Sequence, residues 1–164
     1  MDRELIYNYF GGFEGLIKVY LNSRDYWTVS PEEKDVLIAQ SKADFGKKTV
    51  NELIDQQFDS LMSNEEMRKI INWGPSENRI PLQDLDMERE ALGDELFRAL
   101  IDDHFEGKGK NPRAEIGIAI SSIYYLTLQA RMNVATMCGI DINTEKGASE
   151  IKNALKQIIE WVYE

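Results

Sequence analysis

At 164 residues, with 43% hydrophobic and 29% charged side chains, the chain has the size and makeup of one folded domain, or one domain with a small appendage, and not of a disordered tract. Its 29 acids against 19 bases give a formal charge of −10. Such a surface repels phosphate on average, which excludes a whole-surface nucleic-acid binder and confines any contact to a local neutral or basic patch.

The opening Met1-Asp2-Arg3-Glu4 is charged, and no signal-like or membrane-length run of about 18 apolar residues follows, so a cytoplasmic location is expected. Asp2 to Phe10 reads as a short helix closed by Gly11-Gly12. A second, from Phe13 to about Ser23, sets Phe13, Leu16, Ile17, Tyr20 and Leu21 at the 3–4 spacing of one helix face. Ser30-Pro31-Glu32-Glu33 is a helix start, with a serine cap, a proline in the first turn and acids at the positive dipole end; that helix fades near Phe45-Gly46. Thr49-Val50-Asn51-Glu52 has the form of a capping box. It opens a helix with Val50, Leu53, Ile54, Phe58, Leu61 and Met62 on one side. Ser63 to Trp73 forms another, stopped by Gly74-Pro75, and residues 74–83 are expected to be a loop. Asp84 to Phe105 carries a broad apolar stripe from Leu92 to Phe105, and 106–112 is a glycine-rich connector. Ala114 to Cys138 is so apolar that burial nearly all round is expected. Gly139 ends it, and a last helix runs from about Thr144 to Tyr163. The expected fold class is an all-α helical bundle of about eight helices.

Cys138 is the only cysteine, which leaves no partner for an intrachain disulfide and no thiolate zinc cluster. Its place in the apolar run from Val134 suggests a buried, inert thiol.

The stretch Leu5-Ile6-Tyr7-Asn8-Tyr9-Phe10-Gly11-Gly12-Phe13-Glu14-Gly15-Leu16 resembles the end of the helix-turn-helix of TetR/AcrR-like transcriptional regulators. There a recognition helix finishes in closely spaced aromatics, and a small-residue turn leads into the next helix. Hydroxyls two apart at a helix end suit phosphate contacts, and the turn leaves the next helix N-terminus free to face a phosphate. The resemblance implies that Arg3 and Glu4 lie toward base edges, that Tyr7 and Tyr9 touch the backbone, and that Phe10 and Leu16 fill the core of the head. Phe13 stands where the family usually has a phosphate-binding lysine. In the family two further helices precede this motif, whereas here the chain starts inside the recognition helix. DNA binding by this chain is therefore expected to be weak or absent, with operator DNA a partner only in a protein whose head is complete.

The resemblance divides the chain into a partial DNA-binding head, residues 1–23, and a helical ligand-binding and dimerisation domain, residues 24–164. It implies a homodimer through residues 114–138 and 144–163, for which the aromatic tail Trp161-Val162-Tyr163 is suited; packing within one chain is the alternative. A pocket for a small-molecule effector is expected among the middle helices, with Trp73, Phe97, His104, Tyr124, Tyr125 and Met132 as candidate walls, each of which also fits a plain core position. His104 lies beside Asp102, Asp103 and Glu106. Adjacent acids point different ways on a helix and no second histidine follows, so it reads as a structural or pocket residue and no metal or cofactor is expected. No phosphate loop, Gly-x-Ser-x-Gly or Cys/His nucleophile pattern supports an enzyme. Two readings stay open: a TetR-like repressor sensing a small molecule, and a helical dimerisation or interaction protein without DNA binding.

Overall fold

A computed structural model describes residues 3–24, 30–133 and 136–164. Its elements are α1 (Arg3–Phe10), α2 (Phe13–Arg24), α3 (Pro31–Ser41), a 3-10 turn (Lys42–Asp44), α4 (Lys47–Ser63), α5 (Glu65–Ser76), α6 (Ile80–Leu96), a π turn (Phe97–Ile101), α7 (Asp102–Phe105), α8 (Pro112–Asn133) and α9 (Glu145–Tyr163). The described residues form an all-α bundle without a named strand.

Short-range hydrogen bonds fix many of the helix starts. At α3 the Ser30 hydroxyl accepts from the Glu33 N–H at 3.2 Å, and the Glu33 carboxylate accepts from the Ser30 N–H at 2.9 Å. This reciprocal box also holds the Glu33 carboxyl below its usual range. Asn64 caps α5 through the Met67 N–H, and Thr144 caps α9 through the Gly147 N–H.

The Thr49 box does not form. Asp44 accepts from the Lys48 N–H at 2.9 Å, and a left-handed pair, Phe45 and Gly46, turns the chain into α4 at Lys47. Thr49 is left inside the helix, buried, with its hydroxyl bonded to that of Ser41. The loop expected over 74–83 shrinks to residues 77–79. Pro75 falls in the last turn of α5, while Pro81 falls in the first turn of α6, where its missing N–H has no intrahelical partner to lose.

The helix expected to reach Cys138 also ends sooner. Its described part stops at Asn133; residues 134–135 lie outside the described residues. Met137 and Ile140 exchange backbone hydrogen bonds of 3.0 and 2.9 Å around Cys138 and Gly139, both at positive φ. Two successive left-handed residues make a tight hairpin-type turn. Cys138 sits at its tip and is exposed, not buried.

The main core gathers Ile54, Phe58 and Leu61 of α4, Met67 and Ile71 of α5, the π turn, Phe105, Ile116, Ala119, Ile123 and Ala130 of α8, and Leu155, Ile159 and Val162 of α9. A second cluster joins Ile17 and Leu21 of α2 to Ile70, Leu82 and Leu85. α2 is tied to α6 there by Lys18, whose ammonium lies 3.2 Å from Asp84 and 3.4 Å from Glu88. α1 buries nothing. Phe10 is exposed and Leu16 only half-buried, so neither is enclosed in a core, in keeping with a head that lacks its other helices in the sequence reading.

α8 is not buried all round. α4 and α9 cover its Ile116, Ile123 and Thr127 side, whereas Ile118 is 71% exposed and Tyr125 58%. Ser121 and Ser122 return their hydroxyls to the carbonyls of Gly117 and Ala119. Among the described residues no helix is long and apolar enough to cross a membrane.

Phe58 anchors the main core, fully buried with the Lys152 ammonium 5.7 Å above its ring. Truncation to alanine removes a whole ring from a close-packed site and is expected to cost about 3–5 kcal/mol in urea unfolding. A loss under about 1 kcal/mol would mean that α4 does not organise the bundle.

Candidate ligand site at the π turn

From Asp84 to Phe105 the apolar residues recur at helical spacing, yet the helix is not uniform: the Asp102 N–H reaches back to the Phe97 carbonyl, a π bond. In an unbroken α-helix, positions eight apart lie about 80° apart around the axis. A π turn absorbs one residue, so Asp94 and Asp102 behave as if seven apart and return to within about 20° of one face. Arg113 of α8 uses that alignment. Its Nη1 donates to Asp94 Oδ1 at 2.8 Å, while Nε and Nη2 donate to the two oxygens of Asp102 at 3.0 and 2.6 Å. Its guanidinium also covers the Phe97 ring at 4.9 Å. One fork therefore straddles the irregular turn. Arg113 holds the Asp102 carboxyl below the usual range, and the two carboxylates raise the Arg113 pKa further.

Beneath the turn lies a cavity of about 90 Å³. Val50, Leu53, Ile54 and Gln57 of α4 form one wall, Leu96, Phe97, Leu100 and Ile101 another, and Ile116 and Ile120 of α8 the third. No charged residue lines it. Gly46 closes one end, where a Cβ would meet the Leu100 Cβ at 3.2 Å on a backbone already at positive φ. Gln57 is only 1% exposed, and neither its amide nitrogen nor its carbonyl oxygen has a hydrogen-bond partner. Leaving such a group unsatisfied in hydrocarbon costs about 1–3 kcal/mol.

A larger groove of about 850 Å³ runs outside, between α6 and α8. It shares Gly93, Leu96, Phe97 and Ile120 with the inner cavity, so Phe97 and Leu96 are the partition between the two. Gly93 and Gly117 both face it with nothing within 4 Å of where a Cβ would stand. Mid-helix glycine costs about 1 kcal/mol relative to alanine, and neither position is explained by close helix packing.

Of the six aromatic and methionine candidates, Phe97 lines both the cavity and the groove, and Tyr124 lines the groove. Trp73 packs on the second cluster beside α2. Tyr125 and Met132 are exposed along the outer side of α8. His104 belongs to a separate aromatic stack, 4.0 Å from the Phe45 ring and 4.9 Å from that of Phe105. Desolvation, together with the nearby Lys108 ammonium, lowers its pKa. Tyr163 joins this stack and donates its hydroxyl to the Phe45 carbonyl at 3.0 Å; burial raises its pKa well above the usual phenol. Of the tail Trp161-Val162-Tyr163, only Trp161 is exposed. No cluster of potential metal ligands occurs among the described residues. Arg3, Glu4, Tyr7 and Tyr9 all lie exposed on α1, Tyr7 at 67% and Tyr9 at 78%.

No protein family, curated protein or solved structure matches the chain. The chemistry of the site is read from its own residues. Sequence reasoning missed Gln57, Arg113, Asp94 and Asp102. Gln57 had a visible signal, since it falls three after Ile54 and four before Leu61, a polar residue on an apolar stripe.

Arg113→Gln removes the fork and leaves the π turn unclamped. The groups are more than a third exposed or close to it, so after solvent screening the expected loss is about 1 kcal/mol at pH 7. Because the Asp102 carboxyl is depressed in the folded state, its share is full above the unfolded carboxyl pKa of about 3.9 and disappears as pH falls through the folded value. Urea unfolding of both proteins from pH 7 to pH 3 should show the gap closing below about pH 4. A gap that stays constant would assign the loss to packing on Phe97 instead.

Proposed function

We propose that the chain is the sensing and dimerising body of a TetR-like one-component transcriptional repressor, with α1 and α2 forming the end of its DNA-reading head. The observation that carries this reading is the apolar cavity closed by a π turn and backed by an open groove. A close-packed core has no use for a void beside an irregular turn, and π turns are concentrated at functional sites. A small-molecule effector held there would favour one arrangement of the π turn, and Arg113 would pass that preference to α8 as a population shift.

α8 and α9 supply the dimer face in this reading. Ile118, Tyr125 and Met132 on α8 and Trp161 on α9 are exposed apolar residues, and no charge occurs from Ile116 to Ala130. Two chains of charge −10 repel one another, so self-association is favoured where charge is missing. The pair would be two-fold, as palindromic half-sites require. Arg3 and Glu4 would face bases, and Tyr7 and Tyr9 phosphates. Residues 3–24 hold three bases (Arg3, Lys18, Arg24) and two acids (Glu4, Glu14), a local balance of +1 in an acidic chain. The overall charge, with Phe13 in place of a phosphate-binding lysine, favours the second reading, a helical interaction module without DNA.

Sedimentation at micromolar concentration should show a dimer. Ile118→Glu, at a site 71% exposed in the single chain, should leave unfolding within about 0.5 kcal/mol of wild type and yield monomers. A monomeric wild type would overturn the dimeric reading. Selection from random duplexes by a protein with two further head helices joined before α1 should recover a palindrome. Recovery of no preferred sequence would leave the interaction module in its place.

A further inference from the structure

We propose that two copies of this chain pair with α8 antiparallel on α8, the two-fold axis passing at Tyr125, and that Arg131 of each copy meets Glu90 at the rim of the other's α6–α8 groove. The inference rests on α8 supplying a dimer face, as the regulator reading has it, and adds the direction, the register and the charge pair.

α8 has two apolar faces. One is used inside the chain, where Ile116, Ala119, Ile123, Thr127 and Ala130 are buried. The other carries Ala114, Ile118, Ser121, Tyr125, Leu128 and Met132, at intervals of four, three, four, three and four. That is the repeat of a helix that lies along another helix. All six are exposed except Leu128, which is half-buried, and none is charged. The surface left open is large enough for a second copy. A compact monomer of 18.9 kDa exposes about 8,300 Å², whereas this chain exposes 10273 Å². α1, which buries nothing, holds part of the difference. The whole, about 1,900 Å², is more than twice the roughly 800 Å² that each partner covers in a standard interface.

Register and charge select a second copy, and select it antiparallel. Ile118, Tyr125 and Met132, the large exposed members of the stripe, are seven apart. Turned antiparallel about Tyr125, the stripe meets itself: Tyr125 faces the partner's Tyr125, and Ile118 faces the partner's Met132. The same turn brings the partner's Arg131 level with position 119. α6 runs antiparallel to α8, with Asp94 bonded to Arg113 at one end and Leu82 and Leu85 sharing a hollow with Leu128 at the other. Glu90, one turn before Asp94, therefore stands level with Gly117 and Ile118, and it lines the groove with Gly117. Arg131 also lies on the side of α8 that this contact needs. It follows Gly117 and Tyr124 at intervals of seven, and both line the groove toward α6. A two-fold axis perpendicular to the paired helices keeps both α6 helices on one side of the pair, so each Arg131 extends toward the other copy's Glu90. A parallel pair turns each Arg131 away from the other copy's α6.

Both charges are available. Glu90 and Arg131 are exposed, and no ion pair joins either to another described residue. Burial, and then the nearby Arg131, lower the pKa of Arg68 on α5, so Arg131 stands beside a like charge in a chain of formal charge −10. A carboxylate from the second copy offsets that repulsion.

The test is sedimentation of the full chain at physiological salt across micromolar concentrations. Wild type should dimerise. Glu90→Arg and Arg131→Glu should each raise the dimer Kd about tenfold, because the pair occurs twice, and the double variant should return it to within about threefold of wild type. Both positions are exposed, so urea unfolding should be unchanged in each. In a Cys138→Ser background, Tyr125→Cys should give a disulfide-linked dimer on mild oxidation. Ile118→Cys should cross-link to Met132→Cys and not to itself. A monomeric wild type would overturn this proposal together with the dimeric reading. A dimer indifferent to either reversal, not restored by the double variant, not cross-linked at Tyr125→Cys, or linked through Ile118→Cys alone would overturn the antiparallel register and leave the dimeric reading standing. Pairing as described without any DNA preference would sink the regulator reading and leave this interface intact.

Discussion

The Arg113 fork is the constraint on which the centre of this structure depends. It binds one carboxylate before the π turn and one after it, and both can be reached only because the turn absorbs a residue and brings them onto one face. An unbroken helix through 97–101 would rotate Asp102 away by most of a right angle. The same irregularity places Phe97, Leu100 and Ile101 together over α4, where they roof the cavity. Clamp, turn and cavity adjoin one another, with Phe97 touched by the Arg113 guanidinium on one side and lining the cavity on the other.

Charge organises the rest of the surface. Lys152 of α9 reaches Asp55 and Asp59 of α4 at 3.0 and 2.7 Å, and Lys47 at the start of α4 pairs with Glu160 near the end of α9. Lys110 donates to the last carbonyls of α9 at Trp161 and Val162, where a cation opposes the negative end of the helix dipole. Partly exposed pairs of this kind each contribute about 0–1 kcal/mol. Their main effect is to fix how α9 lies along α4, and so which of its sides faces inward. From Ile116 to Ala130 the outer side of α8 stands apart from this pattern, because no charged residue occurs there.

The fold class was legible because the chain states it locally. The serine-capped, proline-led start at Ser30, the Gly11-Gly12 break and the 3–4 spacing of the last helix all formed as read. The π turn was not legible. Leu92, Leu96, Leu100, Ile101 and Phe105 recur at a spacing that an ordinary helix satisfies, and Arg113, which bonds both sides of the turn, comes from α8. Cys138 was misplaced for a similar reason. Its apolar neighbours suggest a helix interior, but the bonds between Met137 and Ile140 make it the tip of a turn. Of the candidate wall residues, Phe97 lines the cavity from its position in the π turn, whereas His104 stacks with Phe45 and Tyr163 from two distant segments.

By itself the sequence determined that this protein is helical, roughly where its helices start, and that it holds more apolar surface than charged partners for it. Those properties follow from hydrogen bonds and periodicities spanning a few residues. Only the tertiary structure decided which apolar surface is covered. α8 is apolar in nearly every direction, so its sequence expresses no preference for one face. Contact with α4 and α9 buries Ile123 and Thr127 and leaves Ile118 and Tyr125 outside. Burial belongs to the arrangement of neighbours, and for α8 that arrangement is set by shape and by the reach of Arg113, not by any pattern within the helix.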